Sequence, residues 1–396
     1  MRPAAVAVGL LATARLAHRL LGDPRSVPRP AARSMPPGVA TAAARTSVSV
    51  VIPARNEAAT LPTLLRSLRR LTSAAHEVVV VDDGSQDETA SVARAEGAVV
   101  VPVAGPPPGW TGKAWAAHTG AQATGGDLLL FLDADTVLAP DALDGLRTLH
   151  DRYGGLVSVQ PFHEAQRPYE QLSSYFNVVS LLASAAFGPR PQRRAMAFGP
   201  CLLTSRPDYE RAGGHAAVHG AILDDVELAA AYQRAGLPVT CAMGGQSVRM
   251  RMYPGGVGQL AEGWTKNFAS GASAAAPAPA VVTVLWVAAH HAVAVGAARA
   301  LVRGLSGRGD PAAAGSLGFW AVCWLGVAWQ LRSMLARIGS FRWWTWALFP
   351  GPLLGFDVLF ARSAVLTVVR RSVRWRGRAV RLTASDPTAE PAAGGT

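Results

Sequence analysis

The sequence predicts an α/β fold, a mostly parallel sheet flanked by helices, followed by C-terminal transmembrane helices. Three observations predict it. From Ser47 onward short β-rich runs alternate with helical ones; acidic residues recur where those strands end; and beyond about Ala275 the helical pattern becomes apolar all round.

The alternation opens with the strand SVSVVI. A helix is predicted over residues 57–71, because Leu61, Leu64, Leu65, Leu68 and Leu71 share one face. The strand EVVVVD, a helix near 87–96, the strand AVVVPV, a helix after Gly112 and the strand DLLLFLD follow. Continuous apolar strands separated by helices are buried on both faces, which is the condition for a parallel sheet. Ligands of such sheets bind at the carboxyl ends of the strands. Here those ends carry Pro53, Asp82, Asp83, Asp133 and Asp135.

At 396 residues the chain holds one large α/β domain and a substantial further region, and with 50% hydrophobic and 16% charged residues it is too apolar for an ordinary soluble enzyme. Its net charge of +12 comes from arginines gathered near both ends beside apolar stretches. That arrangement excludes nucleic acid as the expected partner and points to an anionic membrane surface. Cys201, Cys241 and Cys323 lie far apart without CxxC spacing, which fits a reducing cytoplasm and not a zinc site.

Residues 1–22 form a candidate N-terminal membrane anchor: the apolar run 4–14, followed by Arg15, His18 and Arg19, reads as a signal anchor or an interfacial helix. Residues 23–46 are a Pro/Ala/Arg-rich linker, with Arg25, Arg29 and Arg33 expected near anionic headgroups. The α/β domain takes 47–275, a membrane region 276–381, and a disordered tail 382–396. Within the membrane region 279–302 and 311–331 are long enough to span, and 343–361 is a third segment broken by Pro350-Gly351-Pro352. Arg362, Arg370, Arg371, Arg374, Arg376, Arg378 and Arg381 make a basic end expected in the cytoplasm. Three full spans would put that end opposite a cytoplasmic enzyme domain, a conflict removed if the broken segment is re-entrant or interfacial.

The sharpest chemical signal is Asp133-Ala134-Asp135 at a strand end. Carboxylates at i and i+2 on a turn hold a hard cation and leave positions for diphosphate oxygens. A plainer role would make Asp135 and Thr136 caps of a helix near Pro140. VIPARNE after the first strand and VVVDDGSQDET after the second offer carboxylates to a base or ribose, although the missing GxGxxG disfavours hydride chemistry. On purely structural grounds Asn56 would cap a helix and residues 82–85 would be an ordinary turn. Asp224 and Glu227 have the spacing of a capping box before VELAAAYQRAG. Lys113, in PPPGWTGKAWAAHTGA, is either an ammonium that a Gly-rich approach brings to phosphates or an ordinary solvated lysine at a helix start.

The ordered set VIPARNE, VVVDDGS, FLDADT and LDDVELA resembles family 2 glycosyltransferases of the GT-A fold over residues 47–237. The resemblance implies a nucleotide-diphosphosugar transferase with Mg2+ or Mn2+. Pro53, Arg55, Glu57, Asp82, Asp83 and Lys113 would serve the donor. Asp133 and Asp135 would bind donor and metal, with Asp135 the more direct metal ligand. It implies Asp225 as the general base of an inverting transfer. The family usually has Glu-Asp where this chain has Asp224-Asp225, which puts the role of position 224 in doubt.

Further segments, GGHAAVHG, RMRMYPGG, EGWTKN and WRGR, narrow the likeness to the membrane glycosyltransferases of carotenoid and hopanoid pathways, of the diaponeurosporenoate type. That implies one transfer to a hydrophobic lipid or terpenoid acceptor by a multi-pass protein of the cytoplasmic membrane, its catalytic domain facing the cytoplasm. Asp224, His215, Arg251, Trp264 and Lys266 are candidate acceptor or diphosphate contacts. A processive polysaccharide synthase would carry a Gln-x-x-Arg-Trp motif, which the sequence lacks. A sugar-nucleotide pyrophosphorylase is disfavoured because PARNE is not a basic Gly-rich loop. The non-catalytic possibility is a membrane protein that binds nucleotide sugar without turnover.

Overall fold

The computed structural model describes residues 3–22, 25–29, 46–188, 195–271, 277–306, 311–370, 372–375 and 378–381. Arg33 and the expected tail 382–396 lie outside them. Helix α1 (Pro3–Leu21) precedes β1 (Val48–Ala54), α2 (Leu61–Arg69), β2 (Glu77–Asp82), α3 (Thr89–Ala95), β3 (Val99–Pro102), α4 (Gly112–Gln122) and β4 (Leu128–Leu132). Then come β5 (Thr136–Leu138), α5 (Ala142–Tyr153), β6 (Leu156–Gln160), β7 (Phe162–His163), α6 (Ser173–Ser184), β8 (Cys201–Ser205), α7 (Arg206–Arg211), α8 (Asp224–Arg234), β9 (Val239–Met243) and β10 (Val248–Met250). The chain continues through α9 (Val257–Gly271), α10 (Pro277–Ser306), α11 (Pro311–Ile338), α12 (Trp343–Ala347) and α13 (Pro350–Arg370) to the hairpin β11 (Ser372–Trp375) and β12 (Arg378–Arg381).

The main sheet has the order β3-β2-β1-β4-β8-β6-β9. β1 to β4 run parallel; β8 is antiparallel to both β4 and β6; β6 and β9 are parallel. Every residue of β4 is buried, because the sheet is covered on both faces. Leu128, Leu130 and Leu132 join Leu61, Leu64 and Leu68 of α2 in one core. Leu129 and Phe131 face the opposite core with Ala117 of α4 and Tyr232 of α8. This alternation along one strand is the two-residue period of β structure acting on two apolar layers.

Local conformation overrides three simple expectations. Helix α2 starts at Leu61, not near 57, because Asn56 adopts φ +54° and Thr60 stands at the helix start. Asp133 to Thr136 form a turn closed by Thr136 N donating to the Asp133 carbonyl at 3.1 Å; β5 intervenes before α5, whose cap position is Asp141, so Asp135 and Thr136 do not cap that helix. Helix α8 starts after Leu223 without a side-chain cap, so Asp224 makes no capping box. Strand β10 lies between β5 and β7 in a small second sheet, with Met250 opposite both Thr136 and His163.

Two helices, Pro277–Ser306 and Ala314–Ile338, are long and apolar enough to cross a membrane, with mean hydropathy 1.7 and 1.2. They are antiparallel: Trp286 Nε1 donates to Gln330 Oε1 at 3.1 Å, and Gly296 gives room to Trp320, which a Cβ there would meet at 2.5 Å. The chain then returns to the α/β part, where Ser340 N donates to the His163 carbonyl at 2.9 Å. Helix α1 lies along the same pair, its Ala14 carbonyl accepting from Gln330 Nε2 at 2.9 Å. In the third apolar segment Pro350 opens α13 and leaves α12 as a separate short helix. His290 and His291 fall in the middle of α10, hydrogen-bonded to Tyr175 (2.7 Å) and Asp357 (2.8 Å). Residues 25–29 dock on β9 through paired Arg25–Met243 and Val27–Met243 backbone bonds, with Arg25 over the Tyr153 ring and Arg29 near Asp141. These two arginines thus contact the α/β part.

Candidate active site

Two loops interlock at the carboxyl ends of β1 and β2. The left-handed backbone of Asn56 aims its amide at Ser85 Oγ (3.0 Å), while its side-chain oxygen accepts from Gln86 N (2.8 Å). Glu57 N donates to Thr89 Oγ1 and Ala58 N to Asp87 Oδ2. Arg55 Nη1 donates to the Asp83 carbonyl at 3.1 Å and lies 3.5 Å from its carboxylate. Asp82 Oδ1 accepts from Ser85 N, and Glu57 Oε2 accepts from the Thr60 hydroxyl. The predicted donor residues Arg55, Glu57, Asp82 and Asp83 are therefore gathered on adjacent loops, each held by protein partners.

Beside these loops lies a small open recess lined by Pro53, Lys113, Phe131, Asp133, Gly199, His215, Asp224 and Asp225, among others. Asp133 directly follows β4, Lys113 lies on the first turn of α4, and α8 presents Asp224 and Asp225 from its first turn, where the helix dipole favours carboxylates. Lys113 Nζ sits 2.7 Å from Asp133 Oδ1. The enclosed setting alone would lower the ammonium's pKa, but Asp133, Asp224 and Asp225 outweigh it and raise it, so Lys113 is charged.

Asp225 Oδ2 accepts from Gly199 N at 2.7 Å and Oδ1 from Val226 N at 2.9 Å. Burial first, then Asp224, pushes its carboxyl up to about 6, against the opposing pull of Lys113 and the two amides. A carboxylate with that affinity for protons can take one near neutral pH. His215 is buried with Nδ1 at 2.9 Å from the Tyr209 hydroxyl, and burial lowers its pKa to about 4, so it forms a neutral wall. At the α4 start Trp110 packs against Trp115, His118 and His219 at 5.1 to 5.5 Å between ring centroids.

The other predicted residues lie elsewhere. Asp135 follows Asp133 on the turn but does not line the recess; register places it beside Arg251, since Thr136 is opposite Met250. Arg251 donates from Nε and Nη2 to Glu170 Oε1 at 2.9 and 2.7 Å. Trp264 is buried, stacks on Phe176 at 4.7 Å and donates Nε1 to Ser173 Oγ. The Lys266 side chain lies outside the described residues. Sequence reasoning misses Gly199: its one signal is the Phe198-Gly199-Pro200 segment before β8, and a Cβ there would lie 3.1 Å from Asp225 Oδ2.

A divalent cation fits the chemistry of the Asp133–Asp135 turn: both side chains offer hard carboxylate oxygens, and Asp133 already attracts a cationic group. Among the described residues no three His, Cys, Asp or Glu side chains converge into a closed metal site. Two carboxylates would leave the remaining positions to donor oxygens.

Glycosyl transferase family 2 matches residues 49–201. A 4,4'-diaponeurosporenoate glycosyltransferase of Staphylococcus haemolyticus (strain JCSC1435) is 40% identical over 248 residues, 61% of this chain and 66% of the relative. The enzyme of that name from Staphylococcus aureus (strain MRSA252) is 34% identical over 339 residues, 84% of this chain and 88% of the relative. The solved structure of the mannosyltransferase PcManGT from Pyrobaculum calidifontis, in complex with GDP-Man and Mn2+, covers 93% of this chain and 97% of its own at 21% identity, with a TM-score of 0.51, a likeness of fold.

Proposed function

Because the chain belongs to glycosyl transferase family 2, we propose that it transfers one sugar from a nucleoside-diphosphate donor, a UDP-sugar, to a hydrophobic terpenoid acceptor of the carotenoid kind, with inversion and with a divalent metal. One observation carries the reading: Asp133, Lys113 and Asp225 share a recess at the carboxyl end of β4, and Asp225 is tuned to about 6. The relatives' name supplies the acceptor class.

In this reading the loops of Arg55, Glu57, Asp82 and Asp83 hold the nucleotide with Pro53 beneath it. Asp133 and Asp135 hold Mg2+ or Mn2+, which when bound offsets charge on the departing diphosphate. Lys113 donates to diphosphate oxygens. With a hydroxyl acceptor Asp225 accepts its proton as the oxygen attacks the anomeric carbon opposite the leaving group, while a carboxylate acceptor attacks already ionised; Asp224 raises the proton affinity of Asp225. His215 shapes the wall. Arg251 and Lys266 are acceptor or diphosphate contacts, and Trp264 supports them through packing. Residues 47–275 form the catalytic unit and 276–381 the membrane region, facing the cytoplasm on the catalytic side.

The test is transfer itself. Membranes containing the protein are incubated with labelled UDP-glucose, UDP-N-acetylglucosamine or GDP-mannose and a carotenoid extract, with Mn2+, Mg2+ or chelator. Mass spectrometry of extracted lipids should find one sugar per acceptor, a hexose or N-acetylhexosamine according to the donor used, lost with chelator and in Asp135→Ala. Pyrophosphate release from a nucleoside triphosphate and a sugar phosphate would instead favour a pyrophosphorylase, and metal-dependent UDP binding without hydrolysis or transfer would favour a binding protein.

A further inference from the structure

The counter-charge of Asp133 is lysine, and lysine is scarce here. Lys113 and Lys266 are the only lysines in a chain whose Lys and Arg total 38. A guanidinium would grip a carboxylate with a rigid two-pronged fork, whereas an ammonium is a compact charge on a flexible stem that exchanges partners readily. The Lys113 side chain is only partly enclosed, 43% exposed, so water reaches it. A Cβ at Gly199 would lie 3.2 Å from Lys113 Nζ and 3.1 Å from Asp225 Oδ2, so the ammonium and the Asp225 carboxylate flank one glycine with no side chain between them. Asp224 also lines this recess, so the ammonium keeps negative neighbours after leaving Asp133.

We propose that Lys113 is a displaceable counter-ion: without nucleotide its ammonium occupies the Asp133 carboxylate and opposes a divalent cation there, and transfer of the ammonium to the incoming diphosphate opens Asp133 to that cation. The inference rests on reading Asp133 as a metal ligand. Its consequence is order. With the ammonium 2.7 Å from Oδ1, a divalent cation on the same carboxylate would stand close to a like charge and be repelled, so the metal enters with the donor instead of before it. By linkage, donor and metal each tighten the other by the same factor.

The experiment measures Mn2+ binding to the full-length protein in detergent, from the electron paramagnetic resonance signal of free Mn2+, alone and with UDP. Wild-type protein should bind Mn2+ weakly alone and more tightly with UDP. Lys113→Gln should bind Mn2+ alone about tenfold more tightly than wild type, the effect of removing one close opposing charge, and UDP should add less. Adding Asp133→Asn to Lys113→Gln should erase that gain. If Lys113→Gln binds Mn2+ alone no better than wild type while Asp133→Asn abolishes Mn2+ binding with UDP, the counter-ion role is overturned and the metal-ligand reading stands. Unchanged Mn2+ binding with UDP in Asp133→Asn overturns both. Should Lys113→Gln fail to fold, wild-type protein answers: reductive 13C-methylation keeps lysines charged and labels two side chains besides the terminal amine, assigned with Lys266→Arg. The Lys113 signal must shift on adding UDP and Mg2+; a fixed signal overturns the proposal.

Discussion

Asp225 is a carboxylate whose proton affinity is set by burial and four neighbours, and its behaviour is the most direct test of the catalytic reading. Burial and Asp224 raise its pKa to about 6, while Lys113 and the amides of Gly199 and Val226 restrain the rise. A base works unprotonated. With the pKa raised, the active fraction falls tenfold per pH unit below about 6 and is complete above it, so kcat/KM should climb with unit slope and level off near neutrality. Asp225→Asn should lower transfer to a hydroxyl acceptor by about 10²- to 10⁴-fold, the usual span for a general base, with the far-ultraviolet circular dichroism unchanged. A carboxylate acceptor carries no proton at neutral pH and should lose far less. Gly199→Ala probes the same group from the backbone. Its methyl would meet Asp225 Oδ2 at 3.1 Å and Lys113 Nζ at 3.2 Å, so kcat should fall about tenfold or more through misplacement of Asp225, while thermal stability changes by only a few degrees.

The nucleotide loops show how local elements build a site that pattern reading sees only in part. Asn56 at φ +54° is bonded through both its amide and its side chain to the loop after β2. Asn56→Gly keeps the backbone but loses the side-chain bond, for about 1 kcal/mol; Asn56→Ala adds the strain of a left-handed residue and should cost about 2 to 3 kcal/mol. Urea unfolding measures the difference, and both should raise KM for the donor with less effect on kcat. The strand runs SVSVVI, EVVVVD and DLLLFLD are legible because apolar β runs report burial on both faces, and the acids at their ends follow from where strands stop. The start of α2 is misplaced because Glu57, Ala58 and Ala59 are good helix formers, although the leucine period begins only at Leu61, and the left-handed Asn56 leaves no periodic trace. The turn after Asp135 passes for a helix cap because short β5, only three residues, carries no period of its own. Gly199 is invisible to pattern because its role depends on Asp225 and Lys113, 26 and 86 positions away, converging on it.

Across the whole molecule, the catalytic sheet and the apolar helices are tied by a shared core, and that decides whether the two can be separated. Tyr175 and Phe176 of α6 are fully buried. Their cover comes from the C-terminal helices: Tyr175 packs on Trp286 of α10 at 5.7 Å and bonds His290, and Phe176 packs on Phe356 of α13 at 5.0 Å. Exposing two such aromatic side chains costs about 5 kcal/mol, a large share of the ~5 to 15 kcal/mol that holds a typical domain together. The outward faces of the same helices carry Val284, Leu301, Val322, Leu325, Trp329 and Val358, each more than half exposed. So large an apolar surface calls for lipid or detergent. A chain truncated after residue 271 sheds those outward faces yet uncovers α6 and α9 together. It should therefore precipitate or elute as aggregates without detergent, whereas the full chain in detergent elutes as a defined species. A truncated protein that is monomeric in plain buffer, with donor hydrolysis equal to the full chain, would mean that the catalytic sheet folds without its helical partner and that the shared core contributes little to it.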